Sequence, residues 1–447
     1  MGDRRWTEEQ ELCLKSRGGT LLVSAAAGSG KTAVLVERIL RRITDPENPV
    51  EVDRLIVTTF TQAAADEMKQ RLYRKLSDQL AADPKNRRLR RQLLLLPKAA
   101  ITTVDGFCYG LIREHAHLLG LSPDCRILEN AQATLLREDA IGETVEALYA
   151  SGREDFRLLA DTIGTERDDR ALRQAIETLY GFLQSHAFPE DWIEAQLRLP
   201  EEGSLWETPW GHELLLYAER TLRGVNARLG QAIAMAGEEE PFISAYLPAL
   251  QEYRQAVGGL LSSLPSLSWD ALSTALTGLR CGRFKAVRGD DPRKERIKAL
   301  RDTADKELRD LQKPFALSKA EVRQQLQQAR PITAALFDAV RDCTERYTAK
   351  KRARRMLDFS DLEHLCLSLL LEKRDGAYCR TALAEQLSLR YEEIFVDEYQ
   401  DSNETQEYLF SALSRREENL FFVGDVKQSI YGFRRPSPLS SAGRTGS

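Results

Sequence analysis

Apolar and polar positions change their period twice along the chain. Between Thr20 and Glu129, short β-branched or apolar runs alternate with segments of helical spacing: "TLLVS", a helix from Lys31, "RLIVTTF", "TQAAADEMKQRLYRKL", "AAITTV", "GFCYGLIREHAHLL" and "CRILE". That alternation predicts βαβ units and a parallel sheet. From Ala131 to Met356 almost nothing reads as strand; stretches such as "ATLLREDAIGETVEALY" carry apolar residues at helical spacing, with Pro and Gly between them. Two buried-strand patterns then return, "EEIFVDE" and "NLFFVGD", joined by a helix over 403–413. The expected organisation is an α/β lobe formed by 1–129 and 357–435, interrupted by a helical subdomain at 130–356.

Length agrees with more than one unit, since 447 residues exceed what a single core usually serves. No apolar run reaches the ~18–20 residues that cross a bilayer, and "MGDRRWTEEQ" lacks the apolar core of a signal peptide. A soluble protein without membrane partners is expected. The seven cysteines are odd in number, scattered, and never in Cys-x-x-Cys spacing. They point to a reducing, cytoplasmic location without structural zinc or an iron–sulfur cluster. A net charge of −4 argues neither for nor against nucleic acid, because a basic stripe can hide in a balanced total.

Two stretches carry candidate chemistry. In "LLVSAAAGSGKT" an apolar strand runs into small residues and then a helix, so that Ala25, Ala26, Ala27, Gly28, Ser29, Gly30, Lys31 and Thr32 form a phosphate-binding loop. Backbone N–H groups and the helix N-terminus face the anion, Lys31 reaches the β/γ-phosphates, and the Thr32 hydroxyl ligates Mg²⁺. Ala25 stands where the usual pattern has glycine. The alternative is a chance glycine turn after a strand. In "EEIFVDEYQD" a buried strand ends in adjacent carboxylates, at the edge where open α/β sheets bind ligands. Asp397 is the expected Mg²⁺ holder, through water, and Glu398 the group that orients and deprotonates the attacking water. An Asp-Glu pair is otherwise ordinary solvated surface.

On these motifs, in this order, the sequence resembles the superfamily 1A helicases of the UvrD/Rep type over Trp6–Arg435, and within them the N-terminal part of the AddA branch of helicase/nuclease subunits. The resemblance implies a RecA-like P-loop ATPase lobe, ATP and Mg²⁺ as cofactors, single-stranded and duplex DNA as partners together with an AddB-like nuclease subunit, and 3′-to-5′ helicase activity in double-strand-break repair. Gln10 in "WTEEQ" matches the glutamine that reads adenine, a task suited to an amide because it donates and accepts at once. Thr59, Phe60 and Thr61 in "TTFTQAAADEMKQRL" match a DNA-contacting element, where an aromatic ring beside hydroxyls can stack on a base and bond phosphate. As bare sequence, Phe60 is equally a core residue.

"TTVDGFC" matches a further DNA element, with Asp105 and Gly106 where relatives carry His or Ser; Thr103 and Phe107 remain the candidates. "LDFSDL" resembles an element that supports the DNA path. In "VGDVKQSIYGFRR", Gln428 matches the γ-phosphate sensor, Asp425 supports the metal site, and Tyr431 and Phe433 match base-stacking aromatics. Basic clusters at 85–91, 283–298 and 350–355 can line a phosphate path or be solvated helix faces.

After Arg435 the family continues into a second lobe whose arginines complete hydrolysis, whereas here "PSPLSSAGRTGS" follows and reads as a disordered tail over 436–447. The expectation is therefore an ATP-dependent helicase by family, impaired as a motor in this form. The alternative is a nucleotide- and DNA-binding fragment without helicase activity; a P-loop kinase would leave the DNA elements as coincidences.

Overall fold

The structure is a computed structural model that describes residues 6–25, 29–164, 168–198, 203–288 and 291–425. Its strands are β1 (Thr20–Ser24), β2 (Leu55–Thr59), β3 (Ala100–Thr103), β4 (Arg126–Ile127), β5 (Met356–Leu357), β6 (Leu371–Arg374), β7 (Ala377–Arg380), β8 (Glu393–Val396) and β9 (Leu420–Gly424). Five of them form one sheet in the order β1-β9-β8-β2-β3, with every pairing parallel. Thr20 pairs with Leu420 and Ser24 with Gly424, while Leu55 pairs with Glu393.

β2, β8 and β9 are buried at every position, which is why they read as unbroken apolar runs: helices cover both faces of a parallel sheet. β1, at one edge, alternates between exposed and half-buried residues. Neighbouring residues of a strand point to opposite faces. Leu55, Val57, Phe395, Phe421 and Val423 accordingly pack with Leu35, Ile39, Leu72 and Leu76 of the helices Lys31–Thr44 and Gln62–Ala82. Ile56, Ile394, Val396, Leu420 and Phe422 pack instead with Leu111, Leu362, Leu387 and Leu409, from the helices Val104–Glu114, Phe359–Leu370, Ala382–Arg390 and Glu404–Leu413.

A buried ion cluster fixes the amino end of β8. Glu393 accepts from Arg38 Nε at 2.8 Å and from Arg42 Nε at 2.8 Å; the Arg38 guanidinium also donates to the Cys13 carbonyl and lies 4.4 Å from the Phe421 ring centroid.

Two short pairings lie outside this sheet. "CRILE" supplies β4, which pairs in parallel with β5 rather than joining the five strands. β6 and β7 form an antiparallel hairpin closed by Asp375 and Gly376, both at positive φ, the backbone of a two-residue turn that Asp-Gly favours.

The chain divides into two compact units, 1–193 with 336–447, and 194–335. The helices Asn130–Ser151, Glu154–Ile163 and Arg170–Leu183, which the sequence pattern sets inside the helical segment 130–356, group with the sheet. The second unit is wholly helical among its described residues. Leu222, Val225 and Leu229 of the helix Pro209–Ala236 meet Tyr253 and Val257 of Leu247–Ser263 and Ala304 and Leu308 of Pro292–Gln312 in one core. Trp206, Trp269 and Phe315 close that core, and both indole N–H groups donate to backbone carbonyls, those of Leu267 and Leu317. Among the described residues no helix is long and apolar enough to cross a membrane.

Candidate functional site

Parallel pairing brings the carboxyl ends of all five strands to one edge, and the polar candidates collect there. β1 passes into the loop before Lys31; the Ala25 N–H donates to the Gly424 carbonyl at 3.1 Å, holding the loop entrance against β9. Gly30 starts the helix Lys31–Thr44 at φ +87°, a left-handed backbone that glycine adopts without the cost other residues incur. That helix has no side-chain cap and no acidic residue in its first turn, so its N-terminal dipole is not already answered by an anion. Ala26, Ala27 and Gly28 lie outside the described residues, as do Gln428, Tyr431 and Phe433.

Gln10 has its amide in use. Its Oε1 accepts from the Thr7 N–H at 3.1 Å in a capping box, and its Nε2 donates to the Ser29 carbonyl at 3.2 Å. The residue expected to read adenine thus fastens the helix Glu8–Lys15 to the loop.

A smaller cleft of about 280 Å³ is lined by Thr32, Thr59, Phe60, Asp397 and Glu398. Asp397 follows β8, is only 9% exposed, and its backbone N–H donates to the Thr58 carbonyl at 2.9 Å. Burial, and then the charge of Glu398, push its carboxyl up to about 6; a hydrogen bond from the Glu398 N–H and the charge of Lys31 offset this in part. Glu398 has φ +57° and ψ +41°, a backbone that costs a non-glycine residue about 1–2 kcal/mol and recurs at functional sites. Its carboxylate accepts from the Gln400 amide.

A larger cleft of about 710 Å³ shares Thr59, Phe60, Asp397, Glu398 and Asp401 with the smaller one and extends past Thr103 and Asp105 to Phe359, Ser360 and Glu363. Phe60 is 54% exposed, so the structure places it at the junction of the two clefts and not in the core. Phe359 is 47% exposed and lines the larger cleft; as a lone aromatic at a helix start, it carries no periodic signal. Thr61 and Thr103 are N-caps, accepting from Ala64 N at 3.2 Å and Gly106 N at 3.0 Å. Gly106 stands where a Cβ would lie 2.3 Å from Thr102 Oγ1, and Asp105 occupies a helical first turn that favours an acidic residue. Both residues of the departing "DG" therefore have local structural reasons. Phe107 packs edge-on to Tyr391 at 6.2 Å and is not among the residues lining either cleft.

Each basic cluster has members engaged by other groups of the protein. Arg88 donates to the Ile43 and Val50 carbonyls, and Arg91 pairs with Glu51. Arg293 pairs with Asp291 and Glu239. Lys350 bonds Asp139 and Glu143, and the buried Lys351 reaches Asp358 at 2.9 Å and Asp361 at 2.6 Å, the two carboxylates of the capping box that starts the helix Phe359–Leu370.

Polar groups gathered at the carboxyl ends of parallel strands define an open α/β protein whose ligand edge is set by its topology. The chain belongs to the UvrD/REP helicase family, matching the UvrD/REP helicase N-terminal domain over residues 6–439. It is 38% identical over 451 residues to an ATP-dependent helicase/nuclease subunit from Acetivibrio thermocellus, with 97% of this chain and 36% of that protein covered. Proteins of the same description from Clostridium novyi and Pelotomaculum thermopropionicum are 37% and 38% identical, over 98% and 97% of this chain. The chain spans about a third of the length of these curated relatives, 36% and 35% in the last two cases.

Proposed function

We propose that this chain is the ATP-binding lobe, RecA-like in fold, of a DNA-dependent ATPase and 3′-to-5′ helicase that acts with a nuclease subunit in double-strand-break repair. The observation that carries the reading is the meeting of Thr32, Thr59, Asp397 and Glu398 on one cleft that opens, past the exposed Phe60, into a second. Lys31 and the unanswered helix N-terminus face the phosphates, and Glu398 takes a proton from the attacking water. The hydroxyl of Thr32 and the carboxylate of Asp397 are hard oxygen donors that would hold Mg²⁺, which would supply positive charge against the phosphates. Among the described residues no three His, Cys, Asp or Glu side chains converge as a cation site, so water and phosphate would complete its shell.

Single-stranded DNA would cross the larger cleft, with Phe60 and Phe359 stacking on bases and with Thr59, Thr61 and Thr103 nearby. Gln428 would sense the γ-phosphate, and Tyr431 and Phe433 would extend the stack. For Gln10 to read adenine, its bond to the Ser29 carbonyl has to be exchanged for the base. The seven unpaired cysteines suit a reducing compartment.

A second reading, binding without efficient turnover, is favoured by one detail. Arg71, the arginine lining the smaller cleft, is paired with Glu67 at 2.6 Å and so is not aimed at a phosphate. Calorimetry with Mg·ATP on parent and Lys31→Ala, followed by an ATPase assay with and without single-stranded DNA, tests both. Equal affinity in the two proteins would sink the site. Binding lost in the variant, with strong DNA-stimulated turnover in the parent, would favour the first reading over the second.

A further inference from the structure

We propose that Gln400 is a positioning residue for hydrolysis, a clamp that holds the Glu398 carboxylate to the end of β9. The inference rests on the reading of Glu398 as the base. Gln400 lies in the single helical turn Tyr399–Asp401 directly after Glu398, and both ends of its amide are engaged. Its Nε2 donates to the Glu398 carboxylate and, at 3.3 Å, to Asp401 Oδ2; its Oε1 accepts from the Asp425 N–H at 2.8 Å. One side chain thus ties the carboxylate to the residue that follows β9.

The neighbour across this contact carries an independent mark. A Cβ on Gly424 would lie 2.7 Å from Gln400 Oε1 and 3.2 Å from its backbone N, so any larger residue there would push the amide out of its present place. The amide donates at one end and accepts at the other: a carboxylate at position 400 keeps the acceptor but repels Glu398, and an aliphatic chain keeps neither function. Glu398 stands on a left-handed backbone with no side-chain cap bond, and among the described residues the Gln400 amide is the hydrogen-bond donor to its carboxylate. A base must be held in reach of its water for proton transfer to be efficient.

The test is a set of variants of the full chain, Gln400→Ala, Gln400→Glu, Gly424→Ala and Gln400→Ala with Gly424→Ala, each measured for single-stranded-DNA-stimulated ATPase and for Mg·ATP binding by calorimetry. Gln400→Ala is expected to lower kcat roughly 10-fold or more, the scale of lost supporting contacts at such sites, while KM and Kd for ATP move less than about 2-fold, the signature of a contact that matters at the chemical step. Gln400→Glu should fall likewise although it can still accept from Asp425. Gly424→Ala should lower kcat in the parent but by less than about 2-fold on top of Gln400→Ala, because coupled residues do not act additively. A parent-like kcat in Gln400→Ala, independent multiplication of the two losses, or loss of ATP binding in both Gln400 variants would overturn the clamp. A parent that binds but does not hydrolyse would favour binding without efficient turnover, and the clamp would fall with the reaction it is inferred to serve.

Discussion

The two ends of β8 hold two buried carboxylates under opposite conditions. At the amino end Glu393 is met by two guanidiniums, those of Arg38 and Arg42, and is fully compensated. Four residues later, past the carboxyl end, Asp397 is similarly buried but receives a backbone N–H and only the more distant charge of Lys31, and its carboxyl rises to about 6. A paired buried charge is tolerated while both partners stay, and becomes costly when its partners are removed. An under-compensated one raises the energy of the empty state and waits for a ligand to relieve it. One strand thus separates its structural end from its working end.

Removing both partners at the structural end should do the most damage. Arg38→Ala combined with Arg42→Ala strands Glu393 in the core and should cost about 3–5 kcal/mol in urea unfolding; a loss below about 1 kcal/mol would erase the contrast.

Asp397→Asn should act in the opposite direction. In the folded chain this carboxyl ionises near 6, against an ordinary value of 3.8, so the folded state resists its ionisation and stability falls as pH rises between these values. The variant should therefore be more stable than the parent at pH 7.5, by up to about 3 kcal/mol. Most of the gain should close as pH drops from 6 towards 4, where the folded carboxyl is neutral and the unfolded one is taking up its proton; unfolding curves at pH 7.5 and pH 4 decide. An advantage that is unchanged at pH 4 would mean that the charge is not its source.

Phe60→Ala sharpens the comparison at the carboxyl end of β2. Its ring is exposed, so folding stability should hardly change while single-stranded DNA affinity drops by about 1–3 kcal/mol, read by fluorescence anisotropy. The reverse result would return Phe60 to the core. Thr103→Ala, at the end of β3, should show the smallest effect: loss of its cap costs about 1 kcal/mol of stability, with DNA affinity within about 2-fold if capping is its main role. A larger loss of DNA affinity would make it a contact after all.

The sequence discloses the strands well because helices cover both faces of the central ones, leaving "LIV", "IFV" and "LFFV" uninterrupted by polar positions. The Lys31 loop and the Asp397–Glu398 pair are legible for a related reason, since a buried strand that stops at small or charged residues marks the ligand edge. Side-chain partners are a different matter. Nothing in "KKRARR" says that Lys350 and Lys351 are taken up by four carboxylates drawn from two other segments. Phe107 and Phe60 look alike in sequence; one lies in a helix and meets Tyr391, the other follows β2 and meets the cleft, because backbone position and not residue type decides where each points. The hairpin at Asp375–Gly376 does carry a readable turn, but its flanks, "LEKR" and "AYCR", lack the apolar alternation that marks a strand. Gln400 passes unnoticed for want of any pattern, its role depending on a strand end 25 residues away.

The order β1-β9-β8-β2-β3 also governs how the protein can be made. β2 and β3 emerge early from the ribosome, yet β8, the strand between β2 and β9, arrives more than 330 residues after β2, and β1 has no partner until β9 is synthesised. Throughout that interval β2, apolar from Leu55 to Val57, offers a bare edge, the kind of surface that pairs with stray strands of other chains. The helical unit 194–335 has no such dependence and can close on local contacts while the sheet is still incomplete. Newly made chains should therefore pass through a stage with a folded helical unit and an open half-sheet, and lean on chaperones until the last strand slots in.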